Sequence, residues 1–261
     1  MTKKGIMLIG HGSRYGYNKK VMELHADRLR AMGFKNVYTG FNEISRPLIE
    51  ETLIEMADDG IDEITAIPFF IDSDMHTTDV PPKLRLKNGE KYAEIDVSGK
   101  RIMMHLGTPF GEDPLLARIL HERIKEMDSG NGKTGVMVIG HGSKLPYSKD
   151  AIILNAERLT EMGHNVHYAF NEFNDPKIED VLERMAEKGM DEIIVLPLFI
   201  SSENHRNGIP EKIRLKGGAS EGTFEHKGKK IIVKYALPIG RDPRITDLLA
   251  ERANTPDIRH R

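Results

Sequence analysis

The chain has 261 residues, 39% of them hydrophobic, enough for one large domain or two small ones that each bury a core. With 38 Lys and Arg against 40 Asp and Glu the net charge is −2, so nothing advertises a nucleic-acid binder, and the longest apolar runs, such as Ile193 to Ile200, fall far short of the roughly 18–20 residues of a membrane-spanning helix. The absence of cysteine removes disulfide, thiolate-metal and cysteine-nucleophile chemistry, and with no signal-like start the expected location is cytoplasmic.

Taken in chain order, Gly5 to Ile9 reads as a buried strand. Asn18 to Met32 follows as a helix on the spacing of Val21, Leu24, Leu29 and Met32, with Gly33 as its stop. Asn36 to Phe41 predicts a second strand, Pro47 to Asp58 a helix with Pro in its first turn and Gly60 after its end, and Glu63 to Ile71 a third strand. Lys87 to Lys100 is polar and Gly-containing and reads as a hairpin or loop, before a fourth strand, Ile102 to Leu106, and a final helix, Pro114 to Met127. Strands alternating with helices imply parallel β-α-β units with right-handed crossovers.

The pattern then starts again. Gly5-Ile6-Met7-Leu8-Ile9-Gly10-His11-Gly12-Ser13-Arg14 returns as Gly135-Val136-Met137-Val138-Ile139-Gly140-His141-Gly142-Ser143-Lys144, and Phe41-Asn42-Glu43 returns as Phe170-Asn171-Glu172. Ile67 to Ile71 returns as Leu196 to Ile200, His76 as His205, Pro81 as Pro210, Arg85-Leu86 as Arg214-Leu215, and Asp113-Pro114 as Asp242-Pro243. A period of about 130 residues is too long for a solenoid and points to two fused copies of a whole domain. The expected division is residues 1–130 and 131–261, joined at the turn-rich Asp128 to Gly132. Each half is expected to be a small, doubly wound, parallel-sheet α/β domain, the two related by a pseudo-two-fold axis.

Ligands of such sheets bind beyond the carboxyl ends of the strands. His11 follows the first strand, Glu43 the second and His76 the third; His141, Glu172 and His205 repeat the set. Two imidazoles and a carboxylate at one rim suit a first-row divalent metal. Each residue taken alone has a plainer reading, the histidine as a donor within a turn and the glutamate as a helix-entry acid; recurrence of all three in both copies favours the site. The Gly-His-Gly-Ser turn also reads as a phosphate cradle, but it lacks the Walker lysine spacing and a G-x-G-x-x-G. Ser13 beside His11 has no third member for a nucleophilic triad. His25, His105, His121, His164, His167, His226 and His260 have no matching histidine in the other copy and read as surface or core residues.

The GHGSR and GHGSK turns, the FNE segments and the His76-x-x-x-x-Pro81 block together resemble the class II tetrapyrrole chelatases, in particular CbiX-type sirohydrochlorin chelatases and their short archaeal form. The resemblance covers both halves almost end to end. It implies ATP-independent insertion of a divalent metal, Co²⁺ first and Ni²⁺ or Fe²⁺ as alternatives, into sirohydrochlorin, for cobalamin or for the coenzyme F430 or siroheme pathways. No nucleotide, nucleic acid or membrane partner is implied, and the chain is expected to be a monomer with pseudo-dimeric halves or a homodimer. Carried over by position, His11, Glu43 and His76, with His141, Glu172 and His205, would bind metal and accept pyrrole protons. Sirohydrochlorin is rich in carboxylates, so Arg14, Lys144, Arg85 and Arg214 are candidate cations for it, with Ser13 and Ser143 beside them. The chain departs from the family pattern at Asp74 and Glu203, where Gly is frequent, and at Gly208, where the first half has Asp79. A non-catalytic metal or tetrapyrrole carrier on the same scaffold is the second reading.

Overall fold

The structure is a computed structural model describing residues 2–13, 16–71, 78–143, 150–201, 208–216 and 218–255. Two five-stranded, mostly parallel sheets carry helices on both faces. The first sheet is built from β1 (Lys4–Gly10), β2 (Val37–Phe41), β3 (Glu63–Pro68), β4 (Tyr92–Val97) and β5 (Lys100–Leu106), in the order β2-β1-β3-β5-β4. Its helices are α1 (Tyr17–Ala31), α2 (Ile49–Asp58) and the single turn α3 (Val80–Lys83), followed by α4 (Pro114–Met127). The second repeat gives β6 (Thr134–Gly140), α5 (Asp150–Glu161), β7 (Val166–Phe170), α6 (Ile178–Glu187), β8 (Glu192–Pro197), α7 (Ile209–Lys212), β9 (Glu221–His226), β10 (Lys229–Tyr235) and α8 (Pro243–Asn254), with sheet order β7-β6-β8-β10-β9. No helix of the described residues is long and apolar enough to cross a membrane.

Local signals account for most of these boundaries. In α1 the buried side chains Val21, Met22, His25, Ala26 and Leu29 form one face at helical spacing. The helix closes where Gly33, at φ +102°, lets Phe34 N–H return to Leu29 C=O. The Asp113 carboxylate accepts from Leu115 N–H ahead of Pro114, and Asp242 does the same for Arg244, so α4 and α8 begin with the same cap-and-proline device.

Three expectations are corrected. The second helix begins at Ile49, two residues after Pro47, because Phe41 N–H donates to Pro47 C=O and keeps that stretch extended beside β2; the Arg46–Pro47 bond, like Asp175–Pro176, is cis. The third strand ends at Pro68: Phe69 N–H still reaches Ile9 C=O, and then the chain leaves the ladder while Phe69, Phe70 and Ile71 stay buried. The sheet is not wholly parallel: the polar Lys87–Lys100 segment, expected as a hairpin or loop, is the first arm of a hairpin, with β4 antiparallel to β5 and Ile95 and Val97 turned into the core.

The compact units also differ from the sequence repeats. One comprises Met1–Phe110 with Gly240–Arg261, the other Gly111–Ile239. Thus α8 packs on α1 and β3, and α4 packs on α5 and β8, each repeat's last helix lying in the unit that contains the other repeat's sheet. Polar contacts fix each docking. In the first unit, buried His25 of α1 bonds Gly240 C=O through Nε2 at 2.6 Å and the Thr246 hydroxyl through Nδ1 at 2.8 Å. A carbonyl only accepts, so Nε2 carries the proton and Nδ1 takes the hydroxyl's hydrogen. In the second unit Asn155 of α5 donates to Gly111 C=O at 2.8 Å. The 1–130 and 131–261 division therefore describes the repeat of the sequence, while the packed units exchange one helix each.

Candidate functional site

In each unit the chain departs in opposite directions from the central strand, β1 or β6, and its neighbour β3 or β8, which places a crevice at their carboxyl ends. Backbone pairing between the first two strands of each unit runs on past their ends. Asn42 N–H donates to Gly10 C=O and Glu43 N–H to His11 C=O, at 2.7 and 3.0 Å; Asn171 and Glu172 repeat this with Gly140 and His141, at 2.9 and 3.0 Å. That continuation sets the imidazole and the carboxylate side by side. His11 Nε2 lies 3.1 Å from Glu43 Oε1, and His141 Nε2 lies 3.7 Å from Glu172 Oε2, all four side chains being roughly half exposed.

The turn after the central strand is held by residues that sequence reasoning did not single out. Ser13 N–H donates to the Ser45 hydroxyl at 3.0 Å, and Ser143 N–H to the Asn174 side-chain carbonyl at 2.8 Å. The Lys83 ammonium, at the end of α3, donates to Asn42 C=O, and Lys212, at the end of α7, donates to Asn171 C=O at 2.7 Å and to its side-chain oxygen at 3.1 Å. Each lysine thus grips the peptide immediately before the acid. The signal was its recurrence at matched positions, but a lysine 41 residues from its acceptor has no local signature in a sequence.

The structure therefore brings together His11 with Glu43 and His141 with Glu172. The expected third members, His76 and His205, and the cations Arg14 and Lys144, lie outside the described residues, as do Asp74, Glu203 and His260. Among the described residues no group of three or more His, Asp or Glu side chains converges as a metal site. Ser13 is buried, and both turn serines hold their turns through backbone N–H groups. Arg85 is exposed, whereas the Arg214 guanidinium meets Glu183 at 2.7 Å, and Glu183 also meets His226 at 3.1 Å. Three other histidines meet partners away from the pair: His121 Nδ1 lies 2.7 Å from His164 Nε2, where α4 meets the end of α5, and His105 packs on Tyr92 and faces Glu63.

A histidine nitrogen and a carboxylate oxygen about 3 Å apart match the spacing of neighbouring ligands on a metal whose N and O bonds are each about 2.0–2.2 Å. Partial exposure keeps such a pair weak and exchangeable, and leaves both groups able to pass protons to water.

The CbiX family model matches residues 5–127 and again 135–255. The sirohydrochlorin cobaltochelatase of Saccharolobus islandicus is 35% identical over 121 residues, 46% of this chain and 93% of that protein. That of Methanopyrus kandleri is 32% identical over 138 residues, covering 46% of this chain and 94% of its own length. Among solved structures, SirB from Bacillus subtilis with Fe³⁺ superposes with a TM-score of 0.74 at 21% identity, covering 97% of this chain and 95% of SirB, which speaks for the fold.

Proposed function

Because the chain belongs to the CbiX family, matched twice along its length, we propose that it is a sirohydrochlorin chelatase that inserts a divalent metal without ATP. Curated relatives carrying the name sirohydrochlorin cobaltochelatase support Co²⁺ as the metal, with Ni²⁺ and Fe²⁺ as the alternatives of similar coordination chemistry. The observation that carries the reading is the His–Glu pair at the carboxyl edge of the sheet, present in both halves at 3.1 and 3.7 Å.

In this mechanism the metal is a substrate. His11 Nε2 and Glu43 Oε1 hold it in the first half, His141 Nε2 and Glu172 Oε2 in the second, with His76 and His205 as third ligands. His11, Glu43, His141 and Glu172 are roughly half exposed, so the ion is released to a better chelator, the four nitrogens of the macrocycle. Metal entry displaces two pyrrole N–H protons: sirohydrochlorin and M²⁺ give the metallated product and two H⁺. As its bond to the metal breaks, an imidazole nitrogen or the glutamate carboxylate is free to take a proton and pass it to solvent. Exposed Arg85, with Arg14 and Lys144, would face substrate carboxylates; Arg214 would have to exchange Glu183 for one.

Anaerobic absorbance spectroscopy of the protein with sirohydrochlorin and, separately, Co²⁺, Ni²⁺ or Fe²⁺ tests the reading. Multiple turnover above the spontaneous rate is expected, reduced by about a hundredfold or more in the His11→Ala/His141→Ala double variant. Spectral shifts of binding without turnover for any metal would instead identify a carrier.

A further inference from the structure

Two pairs of exposed large hydrophobic side chains recur at matched positions of the repeats: Met32 with Met162, and Ile44 with Phe173. The methionines sit at the ends of α1 and α5, at the opposite edge of each sheet from the histidine–glutamate pair, where the chain turns through Gly33 and Gly163 into the next strand. Ile44 and Phe173 directly follow Glu43 and Glu172, and they remain 57% and 47% exposed.

Neither side chain is buried in the core. Ile44 is held at φ +62°, the left-handed region that a β-branched side chain disfavours, while its apolar atoms face solvent. Phe173 meets the His141 ring edge-on, with centroids 5.9 Å apart and planes at 81°, and still shows nearly half its surface. Each half thus keeps a large apolar side chain next to the acid of its metal-holding pair.

On the chelatase reading, which this inference deepens, we propose that Ile44 and Phe173 are each the apolar contact on which the face of a tetrapyrrole rests in its own half. A tetrapyrrole is polar at its carboxylate rim and apolar across its conjugated face. A residue beside the metal-holding acid lies beneath that face when the metal meets the ring nitrogens. The phenylalanine stacks or meets the macrocycle edge-on, whereas isoleucine offers dispersion alone, so Phe173 makes the second half the stronger seat.

The test is steady-state metallation of sirohydrochlorin with Co²⁺, together with equilibrium titration of metal-free sirohydrochlorin and thermal melting, for wild type, Phe173→Ala, Phe173→Tyr, Ile44→Ala and Ile44→Gly. Phe173→Ala is expected to raise KM and the dissociation constant for sirohydrochlorin about tenfold with kcat within about twofold, and Phe173→Tyr to stay near wild type. Ile44→Gly relieves the left-handed backbone, so its melting temperature holds or rises while its affinity falls about threefold, as in Ile44→Ala. Unchanged affinity in Phe173→Ala and Ile44→Gly, with wild-type turnover intact, overturns the inference. So does a lowered melting temperature with kcat falling in step, the mark of a structural role. A wild type that neither binds nor metallates sirohydrochlorin is a different failure, that of the chelatase reading itself, and removes the seat along with it.

Discussion

A β-carbon placed on Gly12 would lie 1.8 Å from the carbonyl oxygen of Glu43, inside the peptide that carries the site's carboxylate. At φ +97° Gly12 also occupies backbone space that side chains avoid. Glycine here permits the turn after β1 to close onto the loop after β2, and that closure brings His11 to Glu43.

Gly12→Ala is accordingly expected to cost about 1–3 kcal/mol of stability and to weaken metal binding in the first half, as measured by denaturant melts and Co²⁺ titration. Gly142→Ala is the milder change, because the nearest atom to its added carbon is the Asn174 side-chain oxygen at 2.9 Å, which can move. Equal losses in the two variants would show that backbone closure is not what distinguishes them.

Lys83→Ala and Lys212→Ala should loosen the acid without touching the metal or the macrocycle. Each lysine donates to the carbonyl of the residue before the acid, so its loss is expected to lower Co²⁺ affinity about tenfold, leaving KM for sirohydrochlorin unchanged. Titration calorimetry with Co²⁺ on the whole chain checks this; a rise in KM at constant metal affinity would place the lysines on the substrate instead.

Stability should decline on mild acidification. Burial lowers the pKa of His25, with further lowering by Arg28 that exceeds neither the burial effect nor the opposing Gly240 hydrogen bond, and burial likewise lowers His105, His164 and His167. Since each folded-state value lies below the unfolded value of 6.5, the unfolded chain takes up protons first as the pH falls through 6.5. Stability is therefore flat above that pH and lost below it, at up to about 1.4 kcal/mol per pH unit for His25 within its window. Denaturant unfolding from pH 8 to 5 measures the slope, and His25→Asn, which imitates Asn155, should remove one share of it.

Glu192, nearly inaccessible, faces Lys234 at 2.9 Å and accepts from Ser129 N–H at 3.1 Å. Lys234→Met leaves that carboxylate buried without its cation, at an expected cost of about 3 kcal/mol, and adding Glu192→Gln should recover part of it. The counterpart His105→Met should cost less, because Lys4 still meets Glu63 at 3.0 Å. Chemical denaturation of the three variants checks the order.

Several of these features were legible before any coordinates. The Gly33 stop, the helical spacing of Val21 and Leu29 and the extent of the Pro114–Met127 helix are local, and local backbone preferences produced the expected elements, α4 to the residue. The edge strand β4 read only as a hairpin or a loop, since an edge strand with one exposed face needs only Ile95 and Val97 inward and is otherwise polar. The loop at Pro47 defeated the helix rule because its backbone pairs with Phe41, a partner that the helix-start pattern does not contain.

The amino-acid sequence by itself determined that the domain is written twice, that its strands and helices alternate, and that a histidine and a glutamate stand at matching strand ends in both copies. Those are properties of periodicity and recurrence. Only the tertiary structure decided that α4 and α8 lie in each other's expected units, that His11 stands 3.1 Å from Glu43, and that Lys83 braces the peptide immediately before Glu43. An apolar helix face suits either of two similar sheets equally well by composition. The choice is made by contacts distant in the chain, such as His25 with Gly240 and Asn155 with Gly111, whose partners meet only when the surfaces are packed.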